Sequence, residues 1–245
     1  PPRSTLFPYT TLFRSGVPQR RKRFILVGVR KDVGSPENFE NLLMENRDNF
    51  LSQKGLKPTI TLKEAISDLL RSNGEEPSPD RKGFYSGKYG NKKLTAYEKL
   101  MRGDYPKTHI IADSHSFAKH TPEKIACYTQ LLAEYPQKGK RIDGEARAQW
   151  DIKQRGITIL DPNTIAPTIT GSPDDYLHYL EPRIMTVREC ARIQSFPDWY
   201  EIKKKYTTGG KMRKVEVPRY TQIGNAIPPL FAEQAGGVLK KMLQL

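Results

Sequence analysis

Cysteine is almost absent from this sequence, which has only Cys127 and Cys190 among its 245 residues. The two are far apart and show no C-x-x-C spacing, so neither a disulfide framework nor a zinc site is predicted. The four histidines lack a neighbouring cysteine pair, and no metal site is predicted from them. Because so few cysteines suit a reducing compartment, the predicted location is intracellular, in the cytoplasm.

Long apolar runs are missing as well. No stretch approaches the ~20 apolar residues that a membrane-spanning helix requires, no secretory signal pattern is present, and no membrane partner is predicted. Positive charge, by contrast, is abundant, because 41 Lys and Arg residues face 27 Asp and Glu residues and give a net charge of +14. Such an excess favours partners with dense negative charge, and nucleic acid is the first of these.

The first fifteen residues, PPRSTLFPYTTLFRS, have no period that a helix or a strand would use. They also resemble a translated sequencing adaptor. We therefore interpret residues 1–15 as a non-native tail, exclude them from fold prediction, and expect the natural chain to extend upstream of Gly16.

Further along the chain, the apolar run Phe24–Val29 predicts a short strand buried on both faces. Residues 30–58 are polar with scattered turn formers, and no element is assigned to them; NGEEPSP at 73–79 has the composition of a flexible linker. Capping signals and apolar periodicity predict four further helices. These begin at Thr61, near Tyr97, at Thr121 and at Thr186, and a closing helix covers 228–242.

The tract RKGFYSGKYGNKKLTAY at 81–97 contains no acidic residue and interleaves five cations with four aromatic residues. This mixture suits a surface that neutralises phosphates and stacks on bases. A solvated loop with a few packing tyrosines is the alternative from this tract alone. The candidate DNA-binding residues are Arg81, Lys82, Tyr85, Lys88, Tyr89, Lys92 and Lys93, together with Arg183 outside the tract.

Three segments, in this order, resemble the last three conserved motifs of DNA (cytosine-5) methyltransferases. GVPQRRKRFILVG at 16–28 resembles the Gln-x-Arg-x-Arg strand motif, RIMTVRECARIQSFPDWY at 183–200 resembles the next motif, and YTQIGNAIPPLFAEQAG at 220–236 resembles the closing Gln-x-Gly-Asn-Ala-Val-Pro-Pro motif. The resemblance covers most of residues 16–243.

The resemblance implies an α/β fold class, a partial doubly wound, Rossmann-like methyltransferase domain into which an irregular α+β target-recognition domain is inserted. Residues 16–30 and 183–245 would belong to the catalytic domain, and residues 31–182 to the target-recognition domain. Double-stranded DNA with a flipped cytosine is the implied partner, a prokaryote or phage the implied source, and a monomer the implied state of the complete enzyme.

Alternation along a strand places Arg21 and Arg23 on one face and the other two cations of the run on the opposite face. By resemblance, Arg23 contacts O2 of the flipped cytosine, while Arg21 and Gln19 hold the catalytic loop or neighbouring backbone. Gly224, Asn225 and Ala226 would contact S-adenosylmethionine, and Arg23 and Asn225 would border one cavity. Backbone amides before the last helix could also meet a carboxylate or ribose.

The family's Pro-Cys-Gln loop, Glu-Asn-Val element and Gly-rich cofactor loop have no counterpart in this sequence. Both cysteines are interpreted as packing thiols. The chain is therefore predicted to be inactive alone and to need a missing N-terminal half. The alternatives are a non-catalytic DNA-binding module, the C-terminal subunit of a split methyltransferase, and a basic structural protein that coats DNA.

Overall fold

The computed structural model describes residues 4–11, 15–30, 32, 39–90, 93–103, 105, 109–208 and 215–243, with residues 4–11 described as backbone. Its strands are β1 (Ser4–Thr11), β2 (Lys22–Gly28), β3 (Glu75–Pro77), β4 (Tyr85–Lys88), β5 (Ile111–Ser116), β6 (Arg141–Ile142), β7 (Ile157–Ile159) and β8 (Tyr176–Leu177). Its helices are α1 (Phe39–Gln53), α2 (Leu62–Ile66), α3 (Ala96–Arg102), α4 (Pro122–Glu134), α5 (Gly144–Gln149), α6 (Val187–Ile193), α7 (Arg219–Asn225) and α8 (Pro229–Met242).

The strands form three small sheets. β1 and β2 pair antiparallel, and β3, β4 and β5 form an antiparallel sheet in that order. In the third sheet β7 pairs antiparallel with β6 and parallel with β8. Helices and sheets thus mix along the chain, as the α/β class requires.

Strand β2 is covered on one face only, which corrects the prediction of a strand buried on both. Val27 and Val29 are buried, while Phe24 and Leu26 are 61% and 59% exposed. Alternate residues of a strand face opposite sides, so the apolar run divides into a core-facing row and a bare row. The sequence misled because a continuous apolar run does not tell whether both covering layers are present in the same chain.

The segment 4–11 forms a strand, although no period in it predicted one. Its backbone pairs with β2 in a register that matches Ser4 with Gly28 and Thr11 with Lys22, and the register shifts between Phe7 and Thr10. An unpaired strand edge offers a row of backbone donors and acceptors to any extended segment. Pairing of this kind depends on the backbone and therefore leaves no side-chain period to read.

Capping boxes begin three of the helices. Thr61, Thr95 and Thr186 each accept a hydrogen bond from the backbone amide three residues later, and the glutamate there bonds back to the threonine amide. The predicted helices at Thr61, Thr121 and Thr186 and the closing helix are confirmed. The first is shorter than its apolar pattern, because α2 ends at Ile66 and continues as a 3-10 turn, Ser67–Leu69.

Two segments without predicted elements are ordered in the structure. The polar stretch 30–58 contains the 15-residue α1, which packs on α8 through buried Leu43 and Leu51. Its few apolar residues are enough to cover α8, so helix formation here depends on tertiary packing rather than on propensity. The predicted linker at 73–79 contains β3, whose backbone pairs with β4.

The described residues divide into two hydrophobic cores. The main core joins β2, α1, α2, α3, α6, α7 and α8, with Leu62, Tyr97 and Ile193 among its buried residues. A separate small core joins α4, β6, β7 and β8 through Leu131 and Ile157 and the residues around them. The interval between the strand motif and α6 therefore belongs to two packing units.

Candidate functional site

Gln19, the first residue of the strand motif, is fully buried and faces the segment that precedes β8. It pairs with Ala166 in an isolated parallel bridge, and its side-chain Oε1 accepts a hydrogen bond from the Ile169 amide at 2.7 Å. Its Nε2 has no hydrogen-bond partner within the described residues. Gln19 thus fixes the path of residues 166–169 beside the strand.

Arg21 ties the strand motif to the closing motif. The side chain is only 3% exposed, and its Nη1 and Nη2 donate to the carbonyl oxygens of Ile169 at 3.0 Å and Gly224 at 2.8 Å. Burial, and then the charge of Arg23, lower the pKa of Arg21 to about 10, so it stays protonated at neutral pH. A charged donor on two carbonyls is a strong clamp.

Gly224 is required where the clamp closes. A Cβ there would lie 2.4 Å from the Gly171 backbone nitrogen and 2.5 Å from the carbonyl carbon of Thr170. Only glycine allows this approach of two backbones. Gly224 thus serves the turn, its carbonyl is already taken by Arg21, and the candidate contacts beside it are Asn225 and Ala226.

Arg23 lies two residues beyond Arg21 and is exposed. Its Nη1 donates to the Lys22 carbonyl at 2.8 Å, and it forms no ion pair within the part of the chain described here. The predicted division of the four-cation run is visible in this strand, because Arg21 is buried while Arg20 and Lys22 are exposed. Arg23 keeps most of its donors available to a ligand.

Asn225 is exposed at the end of α7, and its side chain makes no hydrogen bond to any described residue. The helix amides that follow are less available than predicted. The N-cap and the first residue of α8 are prolines, which have no amide, and the Leu230 amide donates to Ser195 Oγ at 3.1 Å. The Asn225 amide is therefore the free polar group here, and it suits a polar ligand.

Four well-defined cavities occur in the described part of the chain, with volumes of about 640, 200, 650 and 570 Å³. None of them is lined by Arg23 or Asn225. A cavity shared by these two side chains remains a prediction. What joins their neighbourhoods is the Arg21 bond to Gly224.

Arg183 is engaged inside the protein, which removes it from the candidate DNA contacts. Its Nη1 and Nη2 donate to the Glu189 carboxylate at 2.9 and 2.7 Å, and its Nε donates to Glu181 at 2.7 Å. Burial opposes both charges, but the pair outweighs it, so the pKa of Glu189 is lowered and that of Arg183 raised. A buried and fully paired guanidinium cannot reach a phosphate without breaking this pair.

Helix α6 is fixed by two further buried arginines. Arg192 forms ion pairs with Asp198 at 2.5 Å and with Asp68 at 3.1 Å, and Arg188 pairs with Asp113 at 3.0 Å. Asp68 precedes α3, and Asp113 lies in β5. The expectation that these arginines organise the protein rather than perform chemistry agrees with this placement.

Three members of the basic and aromatic tract are used within the fold. The Arg81 guanidinium stacks on the Phe84 ring at 3.5 Å, and Lys88 pairs with Glu76 at 2.5 Å. The Tyr89 hydroxyl donates to Asp198 at 2.6 Å, and burial together with that carboxylate raises its pKa. The packing-tyrosine alternative thus describes Tyr89.

The remaining members of the tract are available for binding. Lys82 and Lys93 are exposed without ion pairs to described residues, and Tyr85 is 52% exposed. Lys92 lies outside the described residues. Three of the seven predicted residues therefore offer charge or an aromatic ring to a partner.

Both cysteines are unsuited to nucleophilic chemistry. Cys190 lies buried in α6, and burial raises the pKa of its thiol. Cys127 is partly buried with its Sγ 3.7 Å from the Trp150 carbonyl, and burial raises its pKa as well. A thiol needs a lowered pKa to attack at neutral pH.

Two buried histidines flank the Arg183–Glu189 pair and are expected to make stability pH-dependent. Burial lowers the pKa of His178 to about 3 and that of His115 to about 4. Unfolded histidine titrates near 6.5, so below that pH the unfolded chain binds protons that the folded chain refuses. The free energy of unfolding should fall by about 2 kcal/mol per histidine between pH 7 and pH 5.

The measurement is urea unfolding at both pH values for the wild type and His178→Asn. The His178 Nδ1 accepts two backbone amides at 3.1 Å, which an asparagine oxygen can replace. The variant should lose less stability on acidification than the wild type. An equal loss in both proteins would mean that His178 does not contribute.

The acidic partners of α6 were missed in the sequence. Asp68, Asp113 and Asp198 are distant from one another along the chain and belong to different local patterns. Only the pairing of Arg188 and Arg192 at i, i+4 on a helix with apolar neighbours signalled that buried carboxylates were needed, and it did not say which. Unpaired buried arginines would be too costly to persist.

No helix among the described residues has the length and apolarity needed to cross a membrane. In the same part of the chain, no three or more His, Cys, Asp or Glu side chains are grouped to hold a metal ion. The comparisons with known proteins therefore bear on the clamp around Arg21 and on α6.

The family model described as C-5 cytosine-specific DNA methylase matches residues 12–241. The chain belongs to this family. It is 30% identical over 231 residues to Type II methyltransferase M.Bpa9945I of Bacillus paralicheniformis, which covers 89% of this chain and 46% of that protein. It is 41% identical over 144 residues to Type II methyltransferase M.AquIB of a Picosynechococcus species, covering 57% of this chain and 94% of that protein.

The fold of this DNA methylase chain is also found in a crystal structure from E. coli, described as a candidate DNA modification methyltransferase encoded within a prophage. The TM-score is 0.61 at 19% identity, covering 99% of this chain and 62% of that one. The predicted α/β fold class is confirmed by this likeness. The chain spans about half the length of most curated relatives it matches.

Proposed function

We propose that this chain is the C-terminal part of an enzyme that transfers a methyl group from S-adenosylmethionine to C5 of cytosine in a specific DNA sequence. The observation that carries the proposal is the Arg21 clamp, whose bonds to Ile169 and Gly224 connect the strand motif with the closing motif. Exposed Arg23 and exposed Asn225 lie on either side of that clamp.

Arg23 is proposed to contact O2 of a cytosine turned out of the duplex. Negative charge grows on the O2 and N3 side of the ring when a thiolate adds at C6, and a fixed guanidinium stabilises it. Arginine suits this task because it is permanently charged and rigid in its fork. Arg21 and Gln19 are positioning residues, since their hydrogen bonds go to the backbone.

Asn225 and Ala226 are proposed to bind the amino-acid end of S-adenosylmethionine, which supplies the methyl group when bound. The exposed and unbonded Asn225 side chain fits such a contact. Lys82, Tyr85 and Lys93 are proposed to add sequence-independent affinity for double-stranded DNA. The nucleophilic cysteine is proposed to come from an N-terminal half, because both thiols of this chain pack inside it.

A split enzyme, in which that half is a separate polypeptide, is the second candidate. The match to M.AquIB favours it: 144 aligned residues make up 94% of that protein, so its full length is only about 150 residues. A methyltransferase polypeptide of that size has room for little more than the part of the family this chain contains.

The test mixes this chain with the N-terminal half of a family member, labelled S-adenosylmethionine and duplex DNA. Label is expected in DNA, at C5 of cytosine, only when both polypeptides are present. Methylation by this chain alone would contradict the assignment of the nucleophile. Label at another base, or none with any N-terminal half, would contradict the proposed reaction.

A further inference from the structure

The interval that resembles a target-recognition domain contains two structural units. Its first part, through β5, packs into the main core with Leu69, Met101 and Ala112 buried. Ion pairs from Arg192 to Asp68 and from Arg188 to Asp113 fix that part to α6. It is therefore part of the body that carries the clamp.

The second part, which we name the small unit, consists of α4, α5, β6, β7 and β8 around the small core. A cavity of about 640 Å³ lies where this unit meets the body, lined by Phe117, His120 and Ile125 on one side and by Arg71 and Pro182 on the other. A gap of this size at the junction separates the packing of the two units.

The small unit presents a connection between β6 and β7, residues 137–156, that is shaped by two glycines. Gly139 has φ +82°, and its amide donates to the Ile159 carbonyl at 2.7 Å. A Cβ at Gly156 would lie 2.7 Å from the Ile142 carbonyl oxygen. Both ends of the connection are thus held in a defined backbone path.

This connection is rich in unpaired positive charge. Residues 137–156 contain six Lys and Arg against three Asp and Glu. Lys138, Lys140 and Arg155 are exposed and form no ion pair with a described residue. The register that pairs Arg141 with Thr158 puts the two lysines at one end of the β6–β7 pair and Arg155 at the other.

We propose that residues 137–156 read the DNA sequence, with Lys138 and Lys140 on phosphates and Arg155 at a base edge; this rests on the proposed function. Lysines provide the charge that displaces counterions from the duplex, and an exposed arginine can bind guanine O6 and N7 with its fork. The body supplies the clamp, and the small unit selects the site. Charged residues that only protect edge strand β6 are the alternative.

The test measures binding of this chain to a 30-base-pair duplex by fluorescence anisotropy across a salt series. Lys138→Ala with Lys140→Ala should weaken binding roughly tenfold for every sequence and reduce the slope of log affinity against log salt by about 2. Arg155→Ala should relax the sequence preference obtained by selection from a randomised duplex pool. The control, Lys63→Ala with Lys240→Ala, removes the same charge from α2 and α8 and should change neither quantity.

Unfolding midpoints of all variants should match the wild type, because every substituted side chain is exposed. If the 137–156 variants bind and select DNA as the wild type does, the inference is wrong while the proposed function stands. If the control weakens binding as much as the lysine pair does, net charge rather than position is responsible, and the inference is again wrong. A chain that binds no duplex at low salt contradicts the DNA partner of the proposed function, and the inference with it.

Discussion

Arg192→Ala is expected to destabilise the folded chain by about 3–5 kcal/mol. The guanidinium is fully buried between Asp68 and Asp198, and its Nη1 also donates to the Ala65 carbonyl at 3.2 Å. Its removal leaves two carboxylates in the protein interior with one cation too few. Urea unfolding at pH 7, followed by circular dichroism, measures the loss.

The matched control is Arg141→Ala. Arg141 is exposed, and its nearest carboxylates, on Asp143 and Asp175, are 3.9 and 3.7 Å away. Surface pairs of this kind contribute less than about 1 kcal/mol. Equal losses in the two variants would show that burial of the Arg192 pairs has no special weight and would contradict the role given to α6.

Arg23→Ala is expected to lower the methylation rate of the two-part enzyme by roughly 10²–10³-fold. The reason is that a guanidinium aimed at the charge developing on the cytosine acts in the transition state more than in the bound state. The rate constant should fall with little change in DNA affinity. Incorporation of labelled methyl groups under single-turnover conditions gives the rate, and anisotropy gives the affinity.

Arg20→Ala is the matched control for this experiment, since Arg20 is an exposed neighbour on the opposite face of the strand. It should change the rate by no more than about twofold, as expected of a solvated cation outside the site. If Arg20→Ala and Arg23→Ala lowered the rate equally, the run of cations would act as a diffuse charge. The role of Arg23 at O2 would then be withdrawn.

Local signals in the sequence were sufficient for several helices. Thr186 and Glu189 formed the capping box that begins α6, and Thr121 followed by Pro122 began α4. A cap is decided by residues three or four apart, so the sequence contains all of its partners. The motif order likewise led to the family that the comparisons confirm.

Signals that depend on distant partners were not readable. Tyr89 carried the same sequence signal as Tyr85, yet one donates to Asp198 and the other is exposed. Arg183 looked like a cation free for DNA until Glu181 and Glu189 were seen around it. A local pattern gives the chemical type of a side chain, whereas its use depends on which other segments fold against it.

The pairing of β1 with β2 turns assembly with any further polypeptide into a competition for one strand edge. A newcomer that adds its own strand on that side must first displace β1 and gains only backbone bonds that β1 already made. A newcomer that lies across Phe24 and Leu26 removes apolar surface from water and leaves the ribbon intact. The second route has the larger driving force, and it needs no prior unzipping.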